Sequence, residues 1–418
     1  MRIANSHPPA AKIRATSLVV FGLGTFLFWS SLYVYVPVLS VYARTLGAPL
    51  TLVGLVVGIY GATQMIIRIP IGLASDLIGR RRPFILAGLV ASGLGCLGLA
   101  WSPNPWFLVG SRAMLGLGAA TWVAFSVLFA SYYPLHRSAQ AMSLISFVNG
   151  AAQALAGLAG GYLSEQWGPG STFYAGAFLA LVGFAVMLAV PESAQPKPTG
   201  GMSLSRLLAI ARTPALLLAS GVALLSYLAM FTTTFTFVPI YARNLGASDA
   251  DLGVLQTATL VAYTLGMLVG ASAGERVGER WVILIGMSFA GLATALTPLA
   301  LGLVPLALSQ MAASVGRGLC IPILMSLAIR PLPARERASG MGVFQAIYSV
   351  GMFVGPPLGG AVADRLGLSV VFVLVGALCI LAGAWGGISS ALSGRAVGLS
   401  EPNPALEPTG GDHLGQPG

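Results

Sequence analysis

Tyr42–Ala48 reads YARTLGA and Tyr241–Ala247 reads YARNLGA, a separation of 199 residues. The same separation carries Gly54 onto Gly253, Asp76 onto Glu275 and Gly79 onto Gly278. Further along it carries Pro134 onto Pro333, Met142 onto Met341, Gly160-Gly161 onto Gly359-Gly360, and Gly168 onto Gly367. One offset that holds across most of the chain marks an internal duplication. The chain reads as two like-oriented halves.

Composition identifies the solvent of those halves. Of the 418 residues, 56% are hydrophobic and only 8% are charged, against about 25% charged in a soluble domain. Apolar runs of about 20 residues, enough to cross a bilayer, recur from Thr16 to Leu392. Broken at charged, Pro, Gly and Asn punctuation, they predict twelve helices. These run over 17–41, 50–74, 83–101, 105–132, 139–164, 171–190, 215–242, 250–273, 281–299, 303–329, 338–363 and 368–392. The expected fold is an all-α membrane protein, its twelve transmembrane helices forming two six-helix halves related by an axis along the membrane normal. Residues 1–16 form an N-terminal segment, 17–191 the first half, 192–214 a linker, 215–392 the second half, and 393–418 a Pro-, Gly- and acid-rich tail expected to be disordered. Arg2, Lys12 and Arg14 precede the first apolar run as in a signal peptide, but the run is too long and lacks a small-residue cleavage site. It is read as an uncleaved span.

The net charge of +10 is a matter of topology. Of the 22 Lys and Arg, Arg44, Arg243 and Arg365 lie on odd-numbered connections, and Arg68, Arg112 and Arg317 lie within spans. The other sixteen lie in the termini and the even-numbered connections. The positive-inside rule therefore places both termini in the cytoplasm and the chain in the cell (inner) membrane. The bilayer, with its anionic head groups, is the partner of the basic loops, and no nucleic acid is implied. Cys96, Cys320 and Cys379 fall in apolar runs and read as small buried hydrophobes rather than a disulfide framework.

Between spans 2 and 3 stands GLASDLIGRRRP, Gly72 to Pro83. Gly72, Asp76, Gly79, Arg80 and Arg81 match the Gly-x-Leu-x-Asp-Arg/Lys-x-Gly-Arg-Arg/Lys loop of the major facilitator superfamily, with Ala74 and Leu77 as departures. Glu275, Arg276 and Gly278 belong to a degraded copy, ERVGER, in the other half. Arg112, Gly116 and Gly118 on span 4 are similar to the Arg-x-x-Gln-Gly-x-Gly motif of drug:proton antiporters, with Leu115 in place of Gln. Gly160-Gly161 resembles the end of the antiporter signature on span 5, where Gly157 stands in place of proline. The chain thus resembles the twelve-span efflux branch of that superfamily. The resemblance implies secondary transport of a small molecule, a proton as coupling partner, a monomer, and an Asp76 that latches onto the other half while the cytoplasmic side is shut.

Small residues four apart, Ala152, Ala156 and Gly160 on span 5 and Gly351, Gly355 and Gly359 on span 11, put one close-packing face on each helix. Gly161, Gly360 and the Gly355-Pro356-Pro357 bend extend those faces. Three arginines lie where a charge costs at least about 2.5–3.5 kcal/mol, so each must face protein or a wet cavity. Arg112 and Arg317 read as anion-attracting cavity residues or as guanidinium groups tied to helix carbonyls, and Arg68 likewise. Trp29, Tyr33, Tyr227, Phe231 and Phe235 lie at helical spacing, and Gln64, Asn149, Gln153, Gln256, Gln310, Gln345 and Tyr348 are the polar candidates for the same cavity.

No Asp, Glu or His is placed deep in a span by this reading, and no GxxxxGK[ST] loop exists. An enzyme, a cofactor and a metal site are therefore not expected. Three functions remain: export of a small organic compound, uptake or exchange of an organic anion through Arg112 and Arg317, and a non-transporting receptor or scaffold. The fixed charges favour a neutral or anionic substrate.

Overall fold

Proline and short polar caps set where the helices start. Pro83, Pro105, Pro169 and Pro214 each occupy the first helical turn, where a missing N–H costs nothing. Asn104 accepts from Phe107 N at 3.1 Å, and Ser248 and Asp251 cap one another reciprocally. The computed structural model describes residues 15–133, 137–192, 204–333 and 336–398, and among these every regular element is helical.

Among the described residues, twelve helices are long and apolar enough to cross a membrane. Spans 1–6 are Thr16–Thr45, Leu50–Ser75, Arg82–Ala100, Pro105–Ala130, Gln140–Trp167 and Pro169–Leu188. Spans 7–12 are Pro214–Asn244, Asp249–Gly270, Glu279–Leu299, Leu303–Ile329, Ser339–Leu366 and Leu368–Ser389. The terminal face is the one where span 1 begins and span 12 ends; the far face carries the connections after spans 1, 3, 5, 7, 9 and 11.

Spans 1 and 7 outrun their sequence-predicted ends at 41 and 242, because the repeated Tyr-Ala-Arg segments are themselves helical. Each span is interrupted just before a proline that lacks the donor for the carbonyl four residues back. Span 1 stops at Tyr33 and restarts at Val36, ahead of Pro37. Span 7 widens into a π-helical turn, Thr233–Phe237, ahead of Pro239. Within the region read as linker, Leu204–Ala211 forms a short helix. Its Ile210 is buried, and its Arg206 is paired with Glu336 at the start of span 11. The last helix continues to Gly398, past the boundary drawn at 392.

The halves meet through span 2 against span 11 and span 5 against span 8. Pro356 and Pro357 leave the carbonyls of Met352 and Phe353 without their helical donors. Gly58 lets span 2 close on that stretch: a Cβ there would lie 2.5 Å from Phe353 O. Nearer the terminal face on spans 5 and 11, Gly150 and Gly342 have nothing within 4 Å of the corresponding position. The halves pack backbone to backbone toward the far face and are bridged nearer the terminal face by Arg68 and Gln345.

Candidate functional site

Several of the glycines on spans 5 and 11 stand against backbone of a neighbouring helix. A methyl at Gly160 would overlap the Val34 carbonyl, one at Gly351 the Leu224 carbonyl, and one at Gly360 the Leu50 carbonyl. A Cβ at Gly161 would lie 2.7 Å from Gly253 Cα, and one at Gly355 would lie 2.5 Å from Thr232 Oγ1. Gly359 faces Thr232 and Phe237, and the Pro356 carbonyl fills the space a methyl at Gly54 would need.

Aromatic candidates gather between the halves. Tyr33 of span 1 meets Phe235 of span 7 edge-on, with ring centroids 6.2 Å apart. Trp29 lies 6.0 Å from Tyr33 and 5.3 Å from Trp122, and its buried Nε1 has no hydrogen-bond partner. Phe231 is buried against Phe235 at 5.1 Å. Tyr227 stacks on Tyr348 at 4.1 Å. On span 5 Gln153 donates to Asn149, and on span 8 Gln256 presents a buried, unpartnered Nε2 beside Gly157. Gln310 instead donates to Thr297 Oγ1 at 2.9 Å, inside the second half.

The three arginines within spans have different surroundings. Arg112, about 10 Å into span 4 by helical rise, donates to Tyr35 Oη at 2.7 Å, and its guanidinium carbon sits 4.3 Å from the centroid of the Tyr60 ring. The partners are thus a phenol and a π face, where helix carbonyls were the expected alternative. Arg317, about 21 Å into span 10, is fully buried. Its Nη2 donates to Thr234 Oγ1 at 3.2 Å and Ser314 Oγ at 3.0 Å, while Nε and Nη1 have no partner. Arg68 donates to Gln64 on its own helix and to Gln345 Oε1 of span 11 at 2.8 Å. Among the described residues, none of the three has a carboxylate within salt-bridge distance.

At the terminal face, Gly79 closes the span 2 helix at φ +72° and Arg80 is exposed. Arg81 donates to Ser75, and the backbone N–H groups of Arg81 and Arg82 converge on Glu192 at the end of the first half. Arg82 reaches the carbonyls of Met187 and Leu188. Tyr132 donates to Pro191 O at 2.7 Å, and burial, with Glu192 adding, pushes its phenol pKa up. Gly72 has only Val123 nearby. The side chain of Asp76 lies outside the described residues, as do His7, His136 and His413. In the second half Gly278 turns at φ +96°, Glu275 and Arg276 are exposed, and Glu279 pairs with Arg330. Sequence reading did not single out this pair, or Tyr35 and Tyr60, because each partner is remote in sequence.

Among the described residues, twelve membrane-spanning helices in two duplicated halves give the architecture of a multi-pass membrane transporter. The profile of the Major Facilitator Superfamily matches residues 21–243 and 219–408, and the chain belongs to that superfamily. It is 29% identical over 382 residues to the inner membrane transport protein YajR of Escherichia coli, covering 89% of this chain and 82% of that one. It is 26% identical over 383 residues to the multi-drug resistance efflux pump PmrA of Streptococcus pneumoniae, covering 87% and 93%. A solved bacterial homologue of the human lysosomal transporter Spinster, in an inward-facing, unoccupied conformation, superposes with a TM-score of 0.77 at 16% identity, covering 92% and 98%. The chain is a transporter of small molecules, not an enzyme.

Proposed function

We propose that this chain is a secondary active exporter of a small organic compound, neutral or anionic, working by alternating access as a monomer. The buried Arg317 carries the reading: a guanidinium with two unpartnered nitrogens, one residue from Gly318, against which the Tyr263 backbone packs. A buried donor left unmade costs about 1–3 kcal/mol, more for a charged group, and an acceptor on a flat organic solute would remove that cost. The close packing of the halves toward the far face supports a shut external side, with the sixteen flanking cations on the cytoplasmic side. Similarity to PmrA, named a multi-drug efflux pump, supports export.

Organic-anion exchange is the second reading, and the same guanidinium favours it. A proton as coupling partner rests on the resemblance to drug:proton antiporters. The proposal is tested by thermal shift of the purified protein against organic anions, neutral lipophiles and lipophilic cations. Stabilisation by anions or neutral compounds is expected, and stabilisation by cations alone contradicts it.

A further inference from the structure

One contact closes the far face, and the molecule makes it twice. Asp364, in the last turn of span 11, aims its carboxylate at the first turn of span 2. Oδ1 accepts from Leu50 N at 2.9 Å, and Oδ2 accepts from Thr51 N at 2.8 Å and Thr51 Oγ1 at 2.7 Å. Glu165, in the last turn of span 5, does the same to span 8: Oε2 accepts from Asp249 N at 2.8 Å and Ala250 N at 3.3 Å. The 199-residue offset carries 165 onto 364, 50 onto 249 and 51 onto 250. Each carboxylate belongs to one half and the helix it caps belongs to the other.

The chemistry favours an anion at both seats. The first N–H groups of a helix have no intrahelical acceptor and stand at the positive end of its dipole, and bonds from them to a carboxylate are charge-assisted. On span 8, Ser248 and Asp251 already satisfy one another's backbone N–H groups. Glu165 takes the next two, Asp249 and Ala250. The repeated Tyr-Ala-Arg-x-Leu-Gly-Ala segments build the approach to each seat. Gly47 and Gly246 turn at φ +82° and +89°. Arg44 donates to Ala48 O at 2.7 Å, and Arg243 pairs with the side chain of Asp249, which also accepts from Ser164. Two of the three cations on the odd-numbered connections are thereby assigned a structural task.

We infer that Glu165 and Asp364 are a symmetric pair of latches that hold the far face shut, and that both caps must break for that face to open. An ordinary helix cap is local and survives any rigid-body movement of its half. These two span the boundary between halves, so separating the halves at that face removes both acceptors together. The inference rests on the alternating-access reading above.

Double electron–electron resonance on full-length protein in nanodiscs tests it. Spin labels go on Pro103→Cys with Leu301→Cys at the far face, and on Leu77→Cys with Val277→Cys at the terminal face, all exposed positions. The native Cys96, Cys320 and Cys379 are buried. The protein without latch substitutions should give mainly a short far-face distance. Glu165→Ala with Asp364→Ala should raise a longer-distance population about tenfold, each single change giving a smaller rise. Asp364→Asn, which keeps an acceptor and loses the charge, guards against misfolding of the alanine variant and should give an intermediate rise. A far-face distribution unchanged in folded double-alanine and Asp364→Asn proteins would overturn the latch. If the far face opens while the terminal-face distance stays fixed, the latches stand and alternating access is what fails.

Discussion

Arg68 on span 2 and Gln345 on span 11 are joined by a 2.8 Å hydrogen bond that crosses from one half to the other. Gln64 holds the same guanidinium from one turn back on span 2. The bond is neutral on the acceptor side, so it can be made and broken within a transport cycle. Net hydrogen bonds are worth about 0.5–1.5 kcal/mol, and those to charged groups about 1.5–3 kcal/mol.

Gln345→Glu should therefore turn a reversible contact into a buried ion pair and slow transport several-fold or more. Arg68→Ala should also slow it, by removing the contact altogether. Rates from reconstituted vesicles check both, and a Gln345→Glu protein that transports at the unmodified rate would show that the contact does not change during the cycle.

Gly160→Ala is expected to destabilise the first half. The added methyl would overlap the Val34 carbonyl, a backbone atom that cannot rotate away. Overpacking of this kind costs about 1–3 kcal/mol. Ala at Gly150, where nothing lies within 4 Å, should be tolerated. Melting of the two variants in detergent makes the comparison, and equal melting temperatures would contradict the close packing of spans 1 and 5.

Asp76→Asn should lower turnover while leaving substrate affinity within a few-fold. The position lies at the terminal-face end of span 2, next to Ser75, which receives Arg81. It is remote from the aromatic cluster around Phe235. Affinity lost with turnover retained would make Asp76 a ligand instead of a gate residue.

A reporter fused after Arg395 should be cytoplasmic, and one inserted at Asn104 should be external. The sixteen cations of the termini and even-numbered connections motivate the assignment. An inverted pair of signals would reverse every statement about direction.

The fold was legible because its determinants are periodic and local. Apolar runs give the spans, and YARTLGA against YARNLGA gives the duplication and the equivalence of spans 5 and 11. Less of the site could be read. Arg112 was recognised as costly in lipid, but nothing in the order of residues says that Tyr35 and Tyr60 receive it. Glu165 and Asp364 were visible as acids at span ends. Their seats at Asp249 and Leu50 lie 84 and 314 residues away, a relationship only packing creates. The linker helix Leu204–Ala211 escaped because polar flanks hide an eight-residue helix, and the π-helical turn Thr233–Phe237 because it sits inside an unbroken apolar run.

The central claim is that a neutral or anionic organic solute is carried past fixed positive charge. Two like charges about 4 Å apart repel by roughly 4 kcal/mol at an effective dielectric of 20, so a cation is penalised at Arg317. An anion gains, and a planar guanidinium suits a carboxylate in bidentate geometry. The most direct test is flux of radiolabelled organic anions, neutral lipophiles and lipophilic cations into vesicles holding the unmodified protein, Arg112→Ala or Arg317→Ala. Anion or neutral flux is expected, abolished by Arg317→Ala and only partly restored by Arg317→Lys. Arg112→Ala should abolish it too, by releasing Tyr35 and Tyr60. Flux of a lipophilic cation that survives both alanine substitutions would contradict the account.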